Sequence, residues 1–275
     1  MKIAVTGGKG GTGKSTIATA LALELNHYGR VILVDADVDC PDDHLILNMD
    51  RKKVRDVENM VPVFDEEKCI KCGKCSKVCR ENAIVQVKDE YPLLVPEQCT
   101  GCTSCMISCP VGAISESTQV IGEIKQGSGR IDLISGEMFP GIEESSLIVN
   151  SLKEYMKRIE TIYDYIIIDT AAGTHCPVIA ALSDVDCGIA VTEPTPLGNH
   201  DLDLILQLME NLGVDSEVIL NRSDISESSE IEKTVEKYGS EIVGEIPYSK
   251  EIERNYSHGE PIKHPVIEKL ARRML

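Results

Sequence analysis

Lys2-Ile3-Ala4-Val5-Thr6-Gly7-Gly8-Lys9-Gly10-Gly11-Thr12-Gly13-Lys14-Ser15-Thr16 is the stretch that decides the fold. A short apolar strand runs into a glycine-rich turn, and a helix-like segment from about Ile17 to Tyr28 follows. The spacing Gly8-x4-Gly13-Lys14-Ser15 is a Walker A loop. Its glycines let backbone N–H groups turn onto phosphate oxygens, Lys14 neutralises them, and Ser15 offers a hydroxyl to Mg²⁺. Gly8, Gly10, Gly11, Thr12, Gly13, Lys14, Ser15 and Thr16 are therefore the candidate phosphate-binding residues. Lys9 places a second positive charge where an ordinary phosphate loop needs none.

Outward from this loop, Arg30–Val34 reads as the next buried strand and ends in Asp35-Ala36-Asp37-Val38-Asp39. Strand, glycine loop, helix and strand together open a parallel α/β sheet. After about residue 116 the alternation resumes with a strand pair near Gln119–Lys125 and Arg130–Ile134 and a helix over Ser145–Ile159. Strands follow at Tyr165–Ile168, Cys187–Thr192, Glu217–Leu220 and Glu241–Ile246, interleaved with helices at Pro177–Leu182, Leu202–Leu212 and Glu230–Tyr238; a closing helix begins at Pro265. The expected fold is α/β: a mostly parallel, doubly wound sheet. Carboxylates at the C-terminal ends of such strands lie beside the phosphate loop, where Mg²⁺ and water are held. Asp35, Asp37 and Asp169 occupy such positions.

Residues 63–116 break the pattern, which divides the expected core into 1–62 and 117–275. Within the break lie Cys69-Cys72-Cys75-Cys79 and Cys99-Cys102-Cys105-Cys109, each spaced C-x2-C-x2-C-x3-C. This spacing supplies three thiolates for a cubane on one tight loop and sends the fourth to the other cluster. It predicts two [4Fe–4S] clusters, one held by Cys69, Cys72, Cys75 and Cys109 and the other by Cys99, Cys102, Cys105 and Cys79. Disulfides belong to oxidising compartments, and zinc pairs of C-x2-C rarely add further cysteines at this pitch. With an offset of about 30, Cys69, Cys72, Cys75, Cys79, Ala83 and Ile84 recur as Cys99, Cys102, Cys105, Cys109, Ala113 and Ile114, one small unit duplicated about a pseudo-twofold axis. The insert thus reads as an α+β bacterial-type ferredoxin domain. Cys109 is followed by Pro110 as in ferredoxins, whereas Cys79 is followed by Arg80.

The chain has 275 residues and a net charge of −17, with no Trp and two Phe. Such a field repels a phosphate backbone and little is present to stack on bases, so nucleic acid is not an expected partner. No apolar run approaches the ~20 residues of a bilayer span, and the expected location is the cytoplasm. Lys68, Lys71, Lys74, Lys77 and Arg80 form a local basic stripe through the first cysteine run. Cys187 reads as a packed small hydrophobe, and Cys40 has no assigned role.

The pattern Lys9-Gly10-Gly11-x-Gly13-Lys14-Ser15-Thr16 resembles the deviant Walker A loop of the MinD/ParA/nitrogenase-iron-protein class of ATPases. From Lys2 to about Pro261 the chain resembles the subgroup of that class with an inserted ferredoxin domain. The resemblance implies that Lys9 reaches phosphates held by a second subunit, making an ATP-dependent homodimer. It implies that Asp37 positions the attacking water, that Asp35 supports Mg²⁺, and that Asp169 opens the switch II loop Asp169–Gly173. Catalytic roles thus fall to Lys9, Lys14 and Asp37. Asn221 and Pro247 match adenine-side positions, and Cys176 resembles a switch II cysteine that holds a subunit-bridging cluster in the nitrogenase iron protein. A second bridging cysteine is lacking, so Cys176 reads as a free thiol. Residues 267–275 resemble a membrane-targeting tail, but so short an apolar face buries little area and membrane association is not expected. The implied function is an ATPase that couples its cycle to electron transfer with a redox or metalloprotein partner. The alternatives are an iron–sulfur or metal-cofactor assembly protein and a positioning protein with a redox-sensing insert.

Overall fold

The computed structural model describes residues 1–275. Eleven strands are formed: β1 (Lys2–Thr6), β2 (Val31–Ala36), β3 (Lys52–Phe64), β4 (Ile84–Val85), β5 (Leu93–Leu94), β6 (Ile114–Ser128), β7 (Asp132–Met138), β8 (Tyr165–Thr170), β9 (Cys187–Thr192), β10 (Asp215–Asn221) and β11 (Glu241–Ile246). Nine of them make one sheet in the order β11-β10-β9-β1-β8-β2-β7-β6-β3. The run from β11 to β7 is parallel throughout, whereas β6 pairs antiparallel with both β7 and β3.

Strands in the middle of the parallel run are buried on both faces, which is why they read as unbroken Val/Ile stretches. Alternate residues feed two cores. Ala4, Ile32, Val34, Ile166 and Ile168 face a layer built from α5 (Ser145–Lys157), α6 (Cys176–Leu182), α7 (Pro196–Leu212) and α8 (Ser229–Lys237). Ile3, Val5, Leu33 and Ile167 face α1 (Lys14–Leu25) and α10 (Pro265–Arg273). The result is the doubly wound arrangement expected. The apolar residues of the C-terminal segment, Ile267, Leu270 and Ala271, are buried in the second core, so the tail is a structural helix of the fold. No helix is long and apolar enough to cross a membrane.

Three boundaries differ from the sequence expectation. Helix α1 starts at Lys14, directly on the glycine loop, and ends at Leu25. Helix α7 starts at Pro196, well before Leu202, because Thr195 caps it by accepting from the Gly198 N–H at 3.0 Å and Pro196 supplies a pre-set φ at the first helical position. The pair expected near Gln119–Lys125 and Arg130–Ile134 is longer, and its outer partner, β3, was not anticipated. Helices α2 (Asp43–Ile46) and α9 (Lys250–Ser257) also went unread.

Strand β6 pairs with β7 only from Gly122 to Ser128, while β3 follows it all the way to Ile114. The stretch beyond Gly122 is a two-stranded ribbon standing clear of the sheet. Strand β3 runs in the same direction as β2, since two antiparallel steps separate β3 from β7 and β7 is parallel to β2. The ribbon tip at Phe64 and Ile114 therefore projects from the rim where β1, β2 and β8 end. At that tip sits the cysteine-rich lobe, with α3 (Lys74–Val78), α4 (Ser104–Ser108) and the β4–β5 hairpin.

Candidate functional site

Strand β1 delivers Gly7–Gly13 into the rim. Gly13 has φ +97°, and a Cβ there would lie 2.5 Å from Asn221 Nδ2, so only glycine fits. At Gly8 a Cβ would meet the Asp201 carbonyl oxygen at 2.4 Å. Gly10 and Gly11 differ: nothing within 4 Å would meet an added Cβ, so the loop crest faces open space. That open crest, lined by backbone, is the shape a phosphate chain fills.

The loop is held from three sides. Asn221, at the end of β10, donates from Nδ2 to the Thr12 carbonyl at 2.7 Å. Thr12 is itself buried and donates to the Lys9 carbonyl at 3.4 Å. The Gly173 N–H bonds the Gly7 carbonyl at 3.1 Å, and Thr170 Oγ1 donates to Thr6 Oγ1 at 2.9 Å, which ties the Asp169–Gly173 loop to the glycine loop. Lys14 is buried, with Nζ 3.4 Å from the Lys9 carbonyl. Ser15 and Thr16 are half-buried at the start of α1. Lys9 Nζ lies 3.9 Å from Glu193 Oε2, and Arg222 closes on the other oxygen of the same buried carboxylate.

Carboxylates crowd the ends of β2 and β8. Asp35 and Asp169 are fully buried, and Asp37 is half-buried. Asp35 accepts the N–H groups of Asp37 and Asp43, each at 3.2 Å. Burial pushes the Asp169 carboxyl up to about 7, countered by the nearby Ser15 hydroxyl and the charge of Lys14. Burial also raises Asp35, reinforced by Asp169 and Asp42; Asp37 is raised by burial and pulled back by Lys14. The unread member is Asp43, wholly buried in α2 and raised by burial and by Asp169 and Asp35. Its signal was present in the sequence as Asp42-Asp43, separated from the Asp35–Asp39 run by Cys40 and Pro41.

Not every expected residue reaches the rim's centre. Pro247 follows Ile246, which pairs in register with Asn221, but it is solvent-exposed beside the loop. His175 and Cys176 are exposed at the start of α6, Cys40 is exposed beside Asp39, and Cys187 is buried in β9.

In the lobe, the sequence repeat becomes a backbone repeat. Lys71 and Gly101 have φ +55° and +71°, Gly73 and Thr103 +72° and +61°, and Asn82 and Gly112 +54° and +61°. Cys79 and Cys109 share one conformation, with ψ 105° and 113°, so Arg80 in place of proline leaves the backbone unchanged. Cys75 and Cys105 are buried together against Ile84. A cavity of about 530 Å³ is lined by Cys79, Cys99, Cys102 and Cys105, while a smaller one is lined by Cys69, Cys72, Cys75 and Cys109. The lobe is keyed to its ribbon by Asn59, whose Nδ2 donates to the Cys99 carbonyl at 2.5 Å.

Comparison with known proteins agrees with this architecture. Residues 3–262 match the family model of the CobQ/CobB/MinD/ParA nucleotide binding domain. An uncharacterized protein of Methanocaldococcus jannaschii is 35% identical over 261 residues, 94% of this chain and 90% of that one. Pyruvate synthase subunit PorD of the same organism is 40% identical over 55 residues, 20% of this chain and 64% of the subunit. The solved structure of the septum site-determining protein MinD from Pyrococcus horikoshii, complexed with Mg-ADP, superposes with a TM-score of 0.61 at 18% identity, covering 99% of this chain and 95% of that one. The glycine loop on β1, the parallel sheet and the match over nearly the full length place this chain in the CobQ/CobB/MinD/ParA nucleotide-binding family.

Proposed function

We propose that this protein is a Mg²⁺- and ATP-dependent dimerising ATPase that carries two [4Fe–4S] clusters and couples its nucleotide cycle to electron transfer with a partner metalloprotein. The observation that carries the reading is the sorting of eight cysteines into two four-thiol cavities. Each set joins three cysteines of one run to the last of the other, at the tip of a ribbon that ends on the phosphate-loop rim. Four thiols per cavity suit a cubane.

The nucleotide side rests on the open crest at Gly10 and Gly11, the buried Lys14 and the family membership. ATP and Mg²⁺ fit: the MinD relative binds Mg-ADP, and both oxygens of the buried Asp169 carboxylate lack a hydrogen-bond partner. Backbone N–H groups and Lys14 hold the phosphates, while Ser15 and Asp35 serve the cation. Mg²⁺ when bound neutralises charge that develops on the phosphates. Asp37 orients the water that attacks the terminal phosphorus, and the β-phosphate oxygen leaves as ADP. Lys9 leaves Glu193 and turns to the phosphates of the second subunit, so ATP joins the two copies and hydrolysis releases them. Asn221 and, at the margin, Pro247 flank the base.

Clusters at the tip of a two-stranded ribbon sit where dimer closure alters what they face. An electron carrier keeps its clusters, whereas an assembly protein gives them up. Anaerobic purification is expected to yield about eight iron per chain, and Mg²⁺ with ATP is expected to shift the midpoint potential of at least one cluster. Four iron or fewer sinks the two-cluster claim. ATP-dependent passage of intact clusters to an apo-acceptor replaces electron transfer with assembly.

A further inference from the structure

The carboxylates around Asp35 exceed what a phosphate-loop cation site requires. Oxygens of Asp35, Asp42 and Asp43 lie within 4.8 Å of one another. Ligand oxygens around one Mg²⁺ or Ca²⁺ ion are at most about 4–5 Å apart, given metal–oxygen distances of about 2.0–2.6 Å. Mg²⁺ in nucleotide enzymes is usually held by one or two carboxylates and relies on substrate phosphates for the rest. Here three converge before any phosphate arrives.

A second, independent observation points into this cluster. Asp43 is 0% exposed, and neither of its carboxylate oxygens has a hydrogen-bond partner. Asp169, across the same site, is in the same condition. Asp35 differs because two backbone N–H groups already serve it. A buried ionised carboxylate without partner or counter-ion is strongly unfavourable. Lys14 offsets Asp37 and Asp169, but the charges that act most strongly on Asp43 are those of other aspartates. Asp42 is half-buried, the most exposed of the three.

We propose that Asp35, Asp42 and Asp43 form a divalent-cation seat that fills in the absence of nucleotide, with Asp43 as the ligand that makes it independent of phosphate. Hard oxygen donors select Mg²⁺, Mn²⁺ or Ca²⁺ over softer metals. The cation loads first, and nucleotide then meets a site whose negative charge is already reduced.

The probe is Mn²⁺ alone, titrated by calorimetry into the anaerobically purified, nucleotide-free full chain in moderate salt. One Mn²⁺ per chain is expected to bind above the diffuse surface background. Asp43→Asn, which keeps the shape of the side chain, is expected to weaken that event by about tenfold or more, since even outer-shell partners command that much. Asp42→Asn is expected to act in the same direction, and the exposed-loop variant Glu227→Gln to leave it unchanged. Circular dichroism confirms that each variant is folded. Absence of a discrete Mn²⁺ event in the wild type, meaning carboxyls neutralised by protons only, overturns the proposal. Equal Mn²⁺ affinity in wild type and both folded variants overturns it as well. Binding of a fluorescent ATP analogue, measured separately on the wild type, reports on the nucleotide reading: its failure would leave the cation seat standing, and the reverse also holds.

Discussion

Asp35 and Asp169 stand opposite each other in register on adjacent parallel strands, both fully buried, on the same face of the sheet. Neighbouring strands are about 4.8 Å apart, so two like charges are forced together at the strand ends. Such an arrangement stays folded only if protons, Lys14 or a cation reduce the charge.

Acidity follows from this pairing. Asp169 is pushed up to about 7 by burial, above the ordinary aspartate value of about 3.9. Between those values the folded chain keeps a proton that the unfolded chain releases, so this carboxyl costs stability as pH rises through the window. In nucleotide-free protein without divalent cation, the melting temperature of Asp169→Asn relative to wild type is expected to climb from about pH 5 to pH 7. A difference that stays flat over this range contradicts the assignment.

The two loop lysines are expected to separate binding from assembly. Lys14→Ala removes a buried charged donor and is expected to cost about 2–3 kcal/mol of ATP affinity, read by analogue fluorescence. Lys9→Ala is expected to bind ATP with near wild-type affinity yet remain monomeric in light scattering. Glu193→Gln releases the contact that holds Lys9 at 3.9 Å, and is expected to favour the ATP dimer. If Lys9→Ala dimerises as well as the wild type, Lys9 has no role across the interface.

Cluster ligation predicts a non-additive series. Cys79→Ala and Cys99→Ala each leave about four iron per chain, and the double variant also keeps about four, because both cysteines serve one cluster. Combining Cys79→Ala with Cys69→Ala removes both clusters. Iron analysis that finds the reverse grouping eliminates the crossover.

Loop shape gives a stability test. Gly13→Ala forces a side chain into φ +97° and against Asn221, with an expected loss of about 1–3 kcal/mol in denaturant unfolding. Asn221→Ala removes the 2.7 Å bond to Thr12 at an expected cost of about 1 kcal/mol. In the double variant the clash is gone, so the combined loss is expected to fall short of the sum.

Periodicity carried most of the core. β9 lies where its apolar stretch places it, because strands buried on both faces must be apolar throughout. β3 escaped notice because Lys52-Lys53-Val54-Arg55-Asp56-Val57-Glu58 looks like surface. Only Val57, Asn59, Val61 and Pro62 of it are buried, its pairing runs along β6, and half of that ribbon has no sheet beside it. Thr195-Pro196 was a legible helix start that periodicity alone overlooked. Asp43 was harder, since aspartates following a strand are normally solvated.

The residue types and their spacing by themselves determined that a glycine loop joins a strand to a helix and that two cysteine runs repeat one unit, because these are local constraints on φ and on the reach of neighbouring side chains. Tertiary structure alone decided that Asp43 is buried beside Asp35 and Asp169, and that the ribbon bearing the cysteines leaves the sheet on the phosphate-loop rim. Those relations depend on strand order and direction, and they join residues that only the assembled sheet brings together.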